Sequence, residues 1–301
     1  MANSTKGEFY NHIMLFWLPS AASAVVSLAS LLLQIFIVAI NVIDWLKERS
    51  MIPSDQIITS LSISRIFFHI VCLIEFLNNF PIKSVIPGEL TAFLWKTSEF
   101  SSIWLSSLLS IFFFLKISTF QNIFFLRLKT IISHKIFCLI IVGSALSLVY
   151  AFMIVLFSMK PTQEYMSYPL QESQTKVWIY LDHVLNTISL LVFLASSVLL
   201  IISLGFHISK MSNFKNIMSS SNTFKRTIIF TAVSFLVNAC FVILGMTYKV
   251  RFKSLGNNKW FILTWISLPL LHSAFLVYAT TKIRNKFLTV VCCGKGSLFR
   301  R

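Results

Sequence analysis

Trp95 and Glu99 stand four residues apart in WKTSEFSSIWLSSLLSIFFFLK, so on a helix they share one face, about one turn from each other. An indole beside a carboxylate suits a small organic molecule carrying a cation or a hydrogen-bond donor, held by charge and by attraction to the ring face. The apolar run that contains them, 94–115, is long enough to cross a bilayer, which takes roughly 20 residues of helix. A carboxylate at membrane depth costs about 3 kcal/mol near a helix centre unless protein or water satisfies it. Glu99 therefore either faces a ligand chamber or reaches the outer water from its shallow position. Glu75 and Phe76 near the end of the second apolar run, and Asp182 early in the fifth, stand at the same outer level.

Arg65, inside LSISR, falls mid-span. Each guanidinium donor left bare in hydrocarbon is costly, and Gln34 and Ser273 lie at depths where a carbonyl and a hydroxyl can meet it. This set reads as a packing-and-register network rather than a ligand site. His207 and His272 lie within or near spans and read as structural imidazoles rather than as a switch. The six histidines never approach the spacing of a membrane di-iron enzyme, and the five cysteines show neither metal-ligand spacing nor a disulfide framework. With no HExxH, GxSxG or Walker loop, the sequence offers nothing for an enzyme, a metal or a cofactor. Cys292 and Cys293 follow an amphipathic segment, 282–291, and suit either palmitoylation at the membrane surface or inert thiols in a tail.

The elements that must position these side chains follow from composition. Hydrophobic residues make up 56% of the 301 residues and charged ones 12%, and the mean hydropathy is +0.79, which excludes a soluble globular chain. Apolar runs fall at about 13–43, 56–78, 94–115, 136–157, 177–206, 227–248 and 260–280, separated by Pro, Gly, Ser and Asn. They predict one all-α membrane domain over 1–301: seven transmembrane helices and a short cytoplasmic tail, 281–301, with an amphipathic eighth helix. The first run reads as an uncleaved signal anchor.

Of the 26 lysines and arginines, sixteen follow the first, third, fifth and seventh runs and eight lie on the other side, so the amino terminus is expected outside. Asn3-Ser4-Thr5 is a glycosylation sequon on that outer side. In a soluble protein the net charge of +16 would suggest nucleic acid; here it is explained by topology and by attraction to anionic lipid, and no nucleic-acid partner is expected. A transporter or channel would need a path through the midplane, often built on inverted repeats, and no internal repeat is present.

Five segments then carry a resemblance: FIVAINVIDW, LSISR, LSIFFFLKISTFQNIFFLRLK, LLIISLGFHISKM and HSAFLVYATTKI. In order and spacing, from Phe36 to Ile283, they resemble the taste receptor type 2 (bitter taste) family of G-protein-coupled receptors. The acidic-Arg-Tyr triplet and NPxxY of the larger rhodopsin-like class are missing. Pheromone-type (vomeronasal type 1) receptors are the nearest rival, with the same fold and coupling logic. The resemblance implies a multi-pass plasma-membrane receptor that binds small bitter agonists in the outer half of the bundle and activates a gustducin-like heterotrimeric G protein. It places ligand contacts at Trp95, Phe76, Asn238, Ile262 and Trp265. At position 99 the family usually has asparagine, so Glu99 adds a charge to the binding face. The resemblance assigns Lys116, His207 and Lys225 to activation and G-protein docking, with Arg127 in a basic inner cleft. Self-association is left open.

Overall fold

The computed structural model describes residue 14 and residues 17–78, 86–117, 123–158, 168–212, 218–250 and 259–298. Eight helices account for nearly all of them, with no strand among the described residues: α1 (Leu18–Glu48), α2 (Pro53–Leu77), α3 (Gly88–Ile117), α4 (Ile123–Ser158), α5 (Tyr168–Ser212), α6 (Met218–Val250), α7 (Lys259–Ala279) and α8 (Thr281–Leu298). Six are long and apolar enough to cross a membrane, and α6 carries a shorter apolar stretch, Ala232–Thr247.

The helices overrun the apolar runs that predict them. The fourth begins at Ile123 rather than 136, and the fifth spans 45 residues rather than 177–206. Hydropathy marks the length in contact with lipid, whereas backbone hydrogen bonding continues wherever the residues tolerate a helix. The first helix is described from Leu18 rather than from 13. Ends are fixed locally. Pro53 opens α2 after Ile52 in an extended conformation, where a missing N–H costs nothing. Arg49 closes α1 at φ 55°, in the left-handed region, its N–H donating to the Trp45 carbonyl at 2.8 Å.

The organising helix is α3. Its central window is 72% buried against 22% for α4, because it packs against α2, α4, α5 and α6. Its sequence explains this. Ser98, Ser102, Ser106 and Ser110 recur every four residues and form a stripe along α3; small residues let neighbouring backbones approach closely in a membrane. Ser64 of α2 donates to the Ser98 carbonyl at 3.0 Å and lies 3.2 Å from the Ser102 hydroxyl. Further in, Ser196 and Ser197 of α5 lie 3.0 and 3.1 Å from the Ser110 hydroxyl. The chain closes into a ring through α1 against α2 and α7, and α6 against α5 and α7.

Two apolar clusters fill the bundle. The inner one contains Ile37, Ile57, Leu61, Leu105, Leu276 and Ile283; the outer one gathers Phe68, Ile103, Phe241 and Trp265. Pro269 sits inside α7, where it removes the N–H that would reach the Trp265 carbonyl and allows the helix to bend.

At the inner end α8 is clamped by charge. Lys282 reaches Asp55 of α2 at 2.6 Å and Asp44 of α1 at 3.0 Å, and Lys286 pairs with Asp44 as well. Phe287 packs edge-on against Phe36, 5.5 Å between centroids. Burial pulls the Lys282 ammonium down, but its hydrogen bonds to Asp55 and Asp44 outweigh this and raise it above the ordinary 10.5. A folded-state pKa above the unfolded one means that this stabilisation is complete below pH 10.5 and is lost as pH rises through the folded value. Replacing both acids (Asp44→Asn with Asp55→Asn) is expected to speed hydrogen exchange of the α8 amides. Unchanged protection would show that Ile283 and Phe287 hold α8 without the charges.

Candidate ligand site

The outer half of the bundle is built around four aromatic rings from four helices. Trp95 of α3 stands 5.2 Å from Phe68 of α2 and 5.4 Å from Trp265 of α7, and Phe241 of α6 lies 5.6 Å from Trp265. Each helix contributes one ring at the level where α2, α3, α6 and α7 converge, and tilted or edge contacts of this kind add about 0.5–1.5 kcal/mol each beyond their burial. Trp265 is only 2% exposed, so it forms the packed floor of the group, whereas Trp95 is half-buried and Ile262 packs partly buried at its edge.

Glu99 lies one turn inside Trp95 and is 5% exposed. Its Oε2 accepts from the Lys96 ammonium at 3.1 Å, an i, i+3 pair that gives the buried carboxyl a cationic partner. The carboxylate also reaches α6. A Cβ built on Gly245 would lie 3.3 Å from Glu99 Oε1, a tight approach, and 3.4 Å from the Trp265 ring, an ordinary contact. The arrangement can stack a flat organic molecule on Trp95 and offer it a carboxylate, provided that Lys96 yields or shares it.

Beneath the aromatic layer lies the Arg65 network. Arg65 Nη1 donates to Ser273 Oγ at 2.7 Å and to His272 Nδ1 at 2.8 Å, and Gln34 Nε2 donates to the same Ser273 hydroxyl at 2.5 Å. Gln34 therefore reaches Arg65 only through Ser273, while His272 is the direct second partner. Asn238 of α6 donates to the Ser234 carbonyl at 2.7 Å and shares a cavity wall with Arg65.

The remaining residues singled out by sequence are scattered. Phe76 is half-buried at the outer end of α2, whereas Glu75 beside it is exposed. Arg127 is exposed on α4. Asn3 lies outside the described residues, and the side chains of Lys116, Asp182, His207, Lys225, Cys292 and Cys293 lie outside the described side chains. Sequence reasoning passed over Phe68 and Phe241, two of the thirty phenylalanines, which no local pattern distinguishes. It also passed over the serine stripe of α3, which the four-residue recurrence does announce, and over Asp44 and Asp55, two of only ten acids in the chain.

Known proteins resemble this chain in sequence along most of its length. The family described as Taste receptor protein (TAS2R) matches residues 13–295. Taste receptor type 2 member 46 of Pan paniscus is 32% identical over 272 residues, covering 85% of this chain and 87% of that protein. Its counterpart in Homo sapiens is 30% identical over 272 residues with the same coverage, and member 43 of Pan troglodytes is 28% identical over 268. The match runs through the α1–α7 bundle and into α8, the elements that assemble both the aromatic layer and the arginine network. The chain thus belongs to the taste receptor type 2 family, the bitter-taste G-protein-coupled receptors, a family of multi-pass plasma-membrane receptors rather than enzymes.

Proposed function

We propose that the chamber above Trp265 binds small organic agonists, cationic ones among them, and that binding favours the bundle state in which a gustducin-like G protein docks at the inner ends of the helices. The observation that carries this reading is the half-buried Trp95, packed at a tilt against the buried Trp265 and one turn from a buried Glu99 that accepts from Lys96. Trp95, Glu99, Phe76, Asn238 and Ile262 contact the agonist or its surroundings, with Trp265 behind them. Signalling is a population shift: the agonist can move the equilibrium only by as much as it prefers one state. Lys116, Arg127, His207 and Lys225 serve the inner side. The apolar faces of α1, α4 and α5 contact lipid tails, Asn3 carries a glycan, and Cys292 and Cys293 anchor the tail as lipidated thiols.

The test is calcium release in cells that co-express the receptor with a gustducin-tailed G protein, challenged with cationic alkaloids and neutral terpenoids. A saturable response absent from mock cells and reduced by Trp95→Ala is expected. Silence from a receptor shown to be on the surface, across the whole panel, would overturn the reading.

Glu99→Gln separates charge recognition from shape. A charge-assisted hydrogen bond contributes about 1.5–3 kcal/mol, and competition from Lys96 places the effect at the lower end. The half-maximal concentration of cationic agonists is expected to rise about tenfold, since about 1.4 kcal/mol corresponds to one decade. Neutral agonists should change little, and equal loss for both classes would count against a charged contact.

A further inference from the structure

Arg65 carries a positive charge into the middle of the bundle with 3% of its surface exposed, and no carboxylate pairs with it among the described residues. Its two hydrogen bonds run to neutral acceptors. Guanidinium nitrogens only donate, so His272 Nδ1 must accept, which fixes the imidazole as the neutral tautomer with its proton on Nε2. Gln34 and Ser273 are uncharged as well. The buried Arg65 Nε–H has no hydrogen-bond partner among the described residues. Buried charges without compensation are strongly disfavoured, by several kcal/mol even after the protein relaxes.

Beside this guanidinium is a cavity of about 10 Å³, room for one water and, once its side chains shift outward slightly, for a monatomic ion a little larger. Its polar walls are Arg65, Ser102, Asn238 and His272, from four different helices, with Ile103 and Phe241 among the apolar ones. Every one of those four polar groups can donate: a guanidinium N–H, a hydroxyl, an amide with one proton left after its bond to Ser234, and an imidazole N–H. No acid lines the cavity among the described residues. A water there would satisfy a donor or two but leave the charge uncompensated. A carboxylate-bearing ligand would not fit.

We propose that the cavity bounded by Arg65, Ser102, Asn238 and His272 is a binding site for a small monatomic anion, chloride in the cell, which serves as the counter-ion that the chain does not itself provide. The ion accepts from the Arg65 Nε–H and ties α2 to α3, α6 and α7 between the aromatic layer and the inner cluster. The site shares Asn238 with the agonist reading but rests on the charge of Arg65, and a melting test run without agonist stands or falls independently of that reading.

The full-length receptor, purified in lipid nanodiscs, is melted while chloride replaces gluconate at constant ionic strength. A saturable rise of a few degrees in Tm is expected, because a ligand that binds only the folded state stabilises it in proportion to the logarithm of its occupancy. Asn238→Asp then supplies a carboxylate on the cavity wall. This variant should melt at the same temperature in both salts, since the built-in charge displaces the ion. A flat or linear chloride response in the unaltered receptor would overturn the proposal, leaving a water or a bulk salt effect. So would an Asn238→Asp receptor that keeps the full chloride dependence. If that variant is not delivered, Ser102→Asp makes the same comparison from α3, and the chloride titration of the unaltered receptor decides by itself.

Discussion

Gly143→Ala is expected to destabilise the receptor by about 1–2 kcal/mol net and to reduce its surface delivery severalfold, although alanine is the better helix former. A Cβ at Gly143 of α4 would lie 1.8 Å from Nε1 and 2.1 Å from Cδ1 of Trp104 on α3. Both distances are far inside van der Waals contact, and the indole is rigid, partly buried and packed on the inner cluster. Overpacking of this kind costs roughly 1–3 kcal/mol, whereas the gain in helix propensity over glycine is about 1 kcal/mol at most, so the clash wins. Gly205 of α5 is the control. Nothing lies within 4 Å of its would-be Cβ, and Gly205→Ala should be neutral or slightly stabilising. Surface labelling and thermal melting measure both. Coupling Gly143→Ala to Trp104→Leu should restore delivery, because the atoms that collide are then gone. Normal delivery of Gly143→Ala alone would mean that α4 can slide away from α3 without penalty.

Trp265→Ala is expected to have the second large effect, and of a different kind from Trp95→Ala. Trp265 is almost wholly buried and touches Phe68, Trp95 and Phe241. Truncating a core aromatic to alanine costs about 3–5 kcal/mol. Responses to every agonist class should fall together with the melting temperature, and Trp265→Phe should recover much of both. Trp95 is only half-buried, so Trp95→Ala should leave delivery near normal and lower agonist sensitivity alone. A receptor that loses sensitivity but not stability on Trp265→Ala would place that residue on the chamber surface rather than in its floor.

The seven spans are legible in the sequence because lipid imposes one length on every crossing helix. Their ends are not, since nothing in the hydropathy of Ile123–Lys135 forbids the helix from starting three turns early. The need of Arg65 for partners is legible from its depth alone, and Ser273 is met as expected. That His272 rather than Gln34 is the second direct contact depends on the rotation of α7, which carries Pro269, and rotation is set by packing that no single sequence displays. The carboxylate and indole of the candidate site share a face as their spacing requires. The lysine three residues before Glu99 is equally visible in the sequence, and its i, i+3 spacing announces the pair that the structure shows.

The clamp and the arginine network also set a schedule for biosynthesis. Asp55 precedes Lys282 by 227 residues, Asp44 precedes Lys286 by 242, and Arg65 precedes His272 and Ser273 by 207 and 208. The ribosome makes the first two helices, with their charges, long before it makes the groups that bind those charges. Until α7 emerges, α2 carries a bare guanidinium at a depth that lipid does not tolerate, and it must be held in a protein or aqueous environment at the insertion machinery. Chains truncated before α7 would leave both acids and the arginine without these partners, giving the cell a direct chemical mark of an unfinished receptor.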